Sequence, residues 1–477
     1  MAKFQFEYLL SYITLTLDAG DEERGLENWL VAMDEALEEA EFSRAQKLLG
    51  IIRTFHLSPL GSAQVELTRA NWHESRFENE KAVNSYRTAI NTFRRLGKQS
   101  SEALASNSLG LLYQKMSLNE QAVIQFRVAA KLYKRLEDHE SLGGMYSNIG
   151  IVFDSQRDWL KAIPYYERAI KEFIYSESKH QLASVFNNLG VAYEMLEDLK
   201  HAENAYQRCL ELLDEIGQSI TQSGWRIISN LAQLYAKQND YDKSIYHHQL
   251  ALKVASELES NVSYAITLNN LGTLYEEIGD KRQAAHYYRD ALNYQREQGD
   301  RIIQTMLLSN LGSVLTDLGN FSDAQICLDE SLALSREIMD LAGEARTLNN
   351  LAVLFEKQEQ LENALHVYQQ AASILESIGD TRREVITLIN IASVAWRNYN
   401  DEIGRIAFHK AWQLAQNETF HNELATLFQL RGDWSASYRH SGTLAKRWYL
   451  KAMEHCTQES IRTGLQQRLQ WLEQNSD

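Results

Sequence analysis

Apolar residues return along this chain at intervals of three and four, the rhythm of helices buried on one face, and the rhythm itself recurs at a longer period. The segments SNSLGLLY, SNIGIVF, NNLGVAY, SNLAQLY, NNLGTLY, SNLGSVL, NNLAVLF and INIASVAW align on Leu109, Ile149, Leu189, Leu231, Leu271, Leu311, Leu351 and Ile391. Successive spacings are 40, 40, 42, 40, 40, 40 and 40 residues. Thirteen residues after each anchor stands a small residue, from Ala122 and Ala162 to Ala364 and Gly404. Four further on comes a bulky side chain: Phe126, Tyr166, Tyr206, His248, Tyr288, Leu328, Tyr368, Phe408. Three beyond it is a second small one, such as Ala129, Ala169, Cys209 or Ala251, and the same ladder extends back to Ala82, Tyr86 and Ala89.

The spacing predicts two antiparallel helices per unit. Small residues seven apart share a face and allow close approach, and the ring between them fills the gap. Arg157-Asp158, Asn239-Asp240, Gly279-Asp280 and Gly319-Asn320 read as a helix end followed by the cap of the next helix. Gly97, Gly217, Gly299 and Gly379 read as the ends of second helices. At the N-terminus, the apolar run 4–17 is expected to be a helix packing on the first repeat rather than an export signal: only Lys3 precedes it, and Glu7 interrupts it. Residues 24–56 read as a degenerate pair closed by Pro59, and Ala445, Tyr449 and Ala452 as a last second helix behind a turn-rich stretch, 431–442. The expected division is therefore a cap over 1–59, an array of about nine 40-residue units over 60–415, and a degenerate repeat with its cap over 416–477.

Composition narrows the picture. Two prolines in 477 residues fit a chain that is helical almost throughout. A net charge of −16 argues against a nucleic-acid partner, which needs a basic face, and no apolar run suggests a membrane span. Three cysteines without close spacing fit a reducing compartment, so a cytoplasmic location is expected.

The in-phase positions resemble the tetratricopeptide repeat (TPR) signature W-x2-L-G-x2-Y…A-x3-F…A-x4-P. The likeness covers roughly 60–415 and departs from the signature at its last position, where proline is replaced by residues such as Lys134, Asp214 and Arg296. Without that stop the second helix runs on and the period grows to 40. Long repeats of this kind are similar to those of kinesin light chains, of polarity adaptors with Leu-Gly-Asn repeats, and of bacterial peptide-sensing regulators. The resemblance implies an all-α fold, a right-handed superhelix (α-solenoid) of helix pairs with terminal capping helices, whose first helices line a concave groove.

The chain carries none of the phosphate-loop, dinucleotide, zincin or nucleophile-elbow motifs, so no catalytic residue, metal site or cofactor is expected. His248 fills a ring position and Cys209 a small-residue position, and both read as core. The candidate binding residues are instead Asn148, Asn188, Asn230, Asn270, Asn310, Asn350 and Asn390, one immediately before each anchor, with Ser108 at the first equivalent place. A carboxamide donates to a carbonyl and accepts from an N–H, the pairing that an extended peptide offers. The resemblance implies this use, because such asparagine ladders hold peptide main chain in TPR proteins. The other reading is a bond to the neighbouring helix that fixes stacking. One turn before the asparagines, Arg226 and Arg346 give two R-x-x-x-N repeats, suited to acidic side chains. The column Lys115, Lys237, Lys357 and Arg397, mixed with Glu277 and Asp317, and the adjoining Asp154, Glu194, Glu276 and Glu356 complete a charged face expected to help select the ligand. The expected function is a non-enzymatic adaptor taking a protein or peptide segment, possessed of acidic anchors, in its groove. The alternative is a regulatory or sensor subunit that controls a separate effector such as a protease or transcription regulator.

Overall fold

The computed structural model describes residues 2–298, 300–416, 420–437 and 441–474. Among them are 24 α-helices and no strand. The chain divides into two compact units, 1–238 and 239–477.

The first unit begins with α1 (Ala2–Asp18), α2 (Glu22–Glu38) and α3 (Phe42–Ile52). Four antiparallel pairs follow: α4 (Pro59–Ser75) with α5 (Asn79–Arg95), α6 (Gln99–Lys115) with α7 (Asn119–Arg135), α8 (His139–Ser155) with α9 (Trp159–Tyr175), and α10 (Lys179–Met195) with α11 (Leu199–Glu215). The unit ends with α12 (Gln222–Lys237). The second unit opens with α13 (Tyr241–Glu257). Its pairs are α14 (Asn261–Ile278) with α15 (Lys281–Gln298), α16 (Arg301–Asp317) with α17 (Phe321–Glu337), α18 (Leu341–Lys357) with α19 (Leu361–Ile378), α20 (Thr381–Arg397) with α21 (Asp401–Gln416), and α22 (His421–Ser437) with α23 (Gly442–His455). The last helix is α24 (Glu459–Gln474).

Within the array the connections are nearly identical. A positive φ recurs every twenty residues, from Phe77, Gly97, Ser117, Glu137, Arg157, Glu177 and Glu197 to Gly217, and again at Asn239, Glu259, Gly279, Gly319, Met339, Glu359, Gly379 and Tyr399. After α8, the N–H of Arg157 donates to Asp154 at 2.8 Å and that of Asp158 to Phe153 at 2.9 Å, which satisfies carbonyls the helix end leaves open. Asp158 then caps α9 by accepting from the N–H of Lys161. A seventeen-residue helix and a three-residue connection therefore make half of the 40-residue period. The one 42-residue spacing arises at the longer connection 216–221.

The small and bulky positions do what their spacing implied. Ala162, Tyr166 and Ala169 are wholly buried, as are Ala202 and Tyr206, and Ala284, Tyr288 and Ala291. The glycine after the anchor seats the ring: a Cβ on Gly150 would stand 2.5 Å from Tyr166 Cε1, and one on Gly272 equally close to Tyr288. The N-terminal run is helical, with Leu10, Ile13 and Leu17 buried as α1 packs on α2.

Two expectations are corrected, at Pro59 and at 431–437. Pro59 opens α4 instead of closing the segment before it; it stands at the first helical position, where its missing N–H costs nothing, and Ser58 provides the cap. Pro164 is the sixth residue of α9, past its first turn, so the ladder bond to Leu160 is lost. Residues 431–437 are not a turn but the last two turns of α22. Gly432 there gives Tyr449 the same seat that Gly150 gives Tyr166, and Trp434 is buried. Of the rest of that stretch, 438–440 lie outside the described residues, as does Gly299, and Ser441 caps α23.

Candidate functional site

The first helices of each pair stand side by side and are tied to one another by side-chain bonds that span a repeat. In the first unit Asn148 Nδ2 donates to Asn107 Oδ1 at 3.3 Å, from α8 to α6. In the second, Asn310 Nδ2 donates to Asn269 Oδ1 at 2.9 Å, from α16 to α14. Asn350 Nδ2 donates to the carbonyl and hydroxyl oxygens of Ser309 at 3.2 and 3.0 Å, from α18 to α16. Thr387 of α20 donates to Asn349 Oδ1 of α18 at 3.0 Å.

All seven candidate asparagines are half-buried, and they fall into three groups. Asn148, Asn310 and Asn350 use their amide donors as struts between repeats. Asn188 accepts from Asn187 at 3.3 Å on its own helix. Among the described residues Asn230, Asn270 and Asn390 have carboxamides with no hydrogen-bond partner in the chain, so donor and acceptor both stand open at those three rungs.

The charged column reads differently from its expectation, because much of it is already neutralised. Tyr86 donates to Glu74 at 2.9 Å, and Glu74 pairs at 2.5 Å with Lys115 of the next repeat. Tyr206, Glu194 and Lys237 repeat the arrangement at 2.8 and 2.5 Å, and Tyr368, Glu356 and Arg397 at 2.7 and 2.5 Å. Tyr288 donates to Glu276, but forty-one residues past Glu276 stands Asp317, which is held by Lys281 at 2.5 Å. Burial first, and the neighbouring carboxylate next, hold the phenols of Tyr86, Tyr206 and Tyr368 well above their ordinary range. Lys115, Lys237, Arg397, Glu194 and Glu356 are therefore parts of inter-repeat clasps rather than charges left to select a ligand. The link joins residues 12 and 41 or 43 apart, a pairing that no local pattern reveals.

Two guanidinium groups, one in each unit, remain without an acidic partner among the described residues. Arg226, exposed on α12, borders a pocket of about 130 Å³ formed with α10 and α11. His180, Ser184, Asn187 and Ser223 line it as well, and no carboxylate does. Cys209 lies at its wall, buried, with a thiol that burial pushes up to about 12. That thiol is inert as a nucleophile at neutral pH. Arg346, on α18, is half-buried, and its Nε is buried without a hydrogen-bond partner. Burial, then the nearby Arg383, lower its proton affinity.

The remaining candidates carry no chemistry. His248 is 2 % exposed in its ring position, and burial, then His247, lower its pKa to about 4. Among the described residues no group of three or more His, Cys, Asp or Glu side chains is placed to hold a metal ion, and no helix is long and apolar enough to cross a membrane.

Comparison with known proteins bears on the fold. The family model for the tetratricopeptide repeat matches residues 141–215, 226–297 and 303–377, and the model for soluble NSF attachment protein, SNAP, matches 61–177. No curated protein matches the sequence. Among solved structures, the apo form of RapI is 13% identical, with 70% of this chain and 99% of that chain covered and a TM-score of 0.52. Aspartyl phosphate phosphatase F from Bacillus subtilis is 15% identical over 76% of this chain and 95% of its own, with a TM-score of 0.50. The apo form of the quorum sensor NprR from B. thuringiensis is 15% identical over 84% and 99%, with a TM-score of 0.46. For the first two of these the likeness is one of fold alone.

Proposed function

We propose that this chain, whose residues 141–215, 226–297 and 303–377 match the tetratricopeptide repeat model, is a non-enzymatic interaction scaffold that binds an extended peptide segment of a partner protein along the face of its first helices. The carrying observation is the pocket at Arg226, a cation among hydroxyl, imidazole and carboxamide groups with no acid in its lining. An acidic side chain of the partner supplies the missing charge there, and in the second unit, taken by itself, Arg346 offers the equivalent contact. Asn230, Asn270 and Asn390 take the main chain, each bond worth only about 0.5–1.5 kcal/mol net, so affinity builds over several rungs. The partner segment is disordered when free and pays its ordering cost on binding.

A second reading makes the chain a regulatory or sensor subunit acting on a separate effector. The clasps favour it, since Glu74–Lys115, Glu194–Lys237 and Glu356–Arg397 each join one repeat only to the next. A ligand that opened a clasp would alter the stacking at that step.

Panning a random dodecapeptide display library on the full chain tests the first reading. Enriched peptides should carry acidic residues, and Arg226→Glu should abolish capture of a major class while leaving helicity unchanged. Absence of enrichment, or enrichment indifferent to Arg226→Glu, would remove the reading.

A further inference from the structure

The second unit carries two unlike halves on its first-helix face. One turn before the asparagines, the first helices α14, α16, α18 and α20 present Ile266, Met306, Arg346 and Ile386 in order. One turn earlier again, α14 and α16 add Val262 and Ile302, which are 44% and 67% exposed. On α14 and α16 this level is therefore apolar, with Val262 and Ile302 exposed and Ile266 and Met306 half-buried. On α18 the same level is basic, with Arg346 flanked by Arg383 of α20, and Ile386 on α20 is apolar again.

Arg346 differs from the other cations at this level. Arg382 is held by Glu423 at 2.8 Å and Arg383 by Asp380 at 3.1 Å. Asp340, the acid whose charge reaches Arg346, is committed to capping α18 through the N–H of Gly343 at 2.9 Å. A half-buried guanidinium with an unpartnered Nε and a cationic neighbour is costly until an anion meets it.

The columns also set a spacing. The side-chain bonds between α14, α16, α18 and α20 hold these helices in register. Packed helices lie roughly 8–10 Å apart, and an extended chain rises about 3.3 Å per residue, so about every third residue of a bound strand faces a new helix.

Resting on the peptide-binding reading above, we infer that the second unit selects an extended segment in which two apolar residues three apart are followed, three residues on, by a carboxylate. In one chain direction or the other, the apolar pair lies on Val262, Ile266, Ile302 and Met306, and the carboxylate meets Arg346. A further apolar residue three positions beyond meets Ile386, 44% exposed.

A positional-scanning decapeptide array, with leucine, glutamate, glutamine, lysine or serine at each position, tests the pattern on the full chain. Leucine should be preferred at two positions three apart and glutamate at the third, by about tenfold over glutamine, the effect of one charge-assisted contact. Arg346→Glu should reverse that position to lysine and leave the leucine preferences intact, whereas Met306→Asp should remove a leucine preference and leave glutamate. Glutamate preference unchanged in a well-folded Arg346→Glu chain overturns the inference. Binding without positional preference that is nevertheless lost in the Asn230, Asn270 and Asn390→Ala chain overturns the pattern alone and leaves the scaffold reading standing. Binding of no peptide overturns both.

Discussion

His248 shows how much one position of the repeat can carry. It sits where six of the eight aligned repeats place an aromatic ring, and its Nδ1 is buried without a partner. The folded chain holds the imidazole neutral down to a pKa of about 4, against an ordinary 6.5. Between those values the unfolded chain takes up a proton that the folded chain refuses, so stability falls as pH drops through this window and is whole above it. The loss amounts to about 3 kcal/mol at most. His248→Phe should flatten this part of a melting-temperature profile measured between pH 7 and 4; a profile unchanged by the substitution would contradict the assignment. The clasps obey a different logic. Glu194→Ala strands the buried hydroxyl of Tyr206 and should cost about 1–3 kcal/mol, but Lys237→Ala removes only an exposed partner and should cost less than about 1 kcal/mol in chemical denaturation.

At the scale of the element, the regularity comes from connections as much as from helices. The period was legible in the sequence because small and aromatic positions recur in phase. The residues that turn the chain were only partly legible, since Glu197, Met339, Glu359 and Tyr399 do the work of glycine with a positive φ. Glu359→Gly should therefore raise stability by up to about 1 kcal/mol, read from a denaturation midpoint, because a left-handed conformation strains any residue with a Cβ. Pro164 offers the converse test. Pro164→Ala restores the α9 bond to the Leu160 carbonyl and relieves the ring's clash with it, and should stabilise the protein by about 1–3 kcal/mol. The helix α22 stayed hidden because glycine, aspartate and serine at 432, 433 and 435 spell a turn locally. Only the tertiary partner Tyr449, seated on Gly432, shows why the glycine belongs inside a helix. The struts and open rungs were equally inseparable in sequence, since an asparagine in phase has the same spacing whether it bonds a neighbouring helix or a ligand.

At the scale of the molecule, each unit is a row of neighbours, and damage should stay local. The second unit finishes in an aromatic cluster of Trp396, Phe408, Trp412, Phe428, Trp434 and Trp448, with Lys451 Nζ 4.3 Å from the Trp412 ring centre and 4.7 Å from that of Phe428. Phe428→Ala should cost about 3–5 kcal/mol there. Hydrogen exchange should quicken across α20–α24 and stay unchanged in α4–α9; acceleration throughout the chain would contradict a nearest-neighbour architecture. The central claim concerns the asparagine column, and two triple variants measured side by side test it most directly. Alanine at Asn230, Asn270 and Asn390 should weaken peptides selected from a random library at least tenfold and leave the melting temperature within about a degree, because about 1 kcal/mol is lost per open rung and no internal bond is broken. Alanine at Asn148, Asn310 and Asn350 should instead lower the melting temperature by several degrees, since it removes the struts between repeats. Full peptide affinity in the first variant would contradict the account.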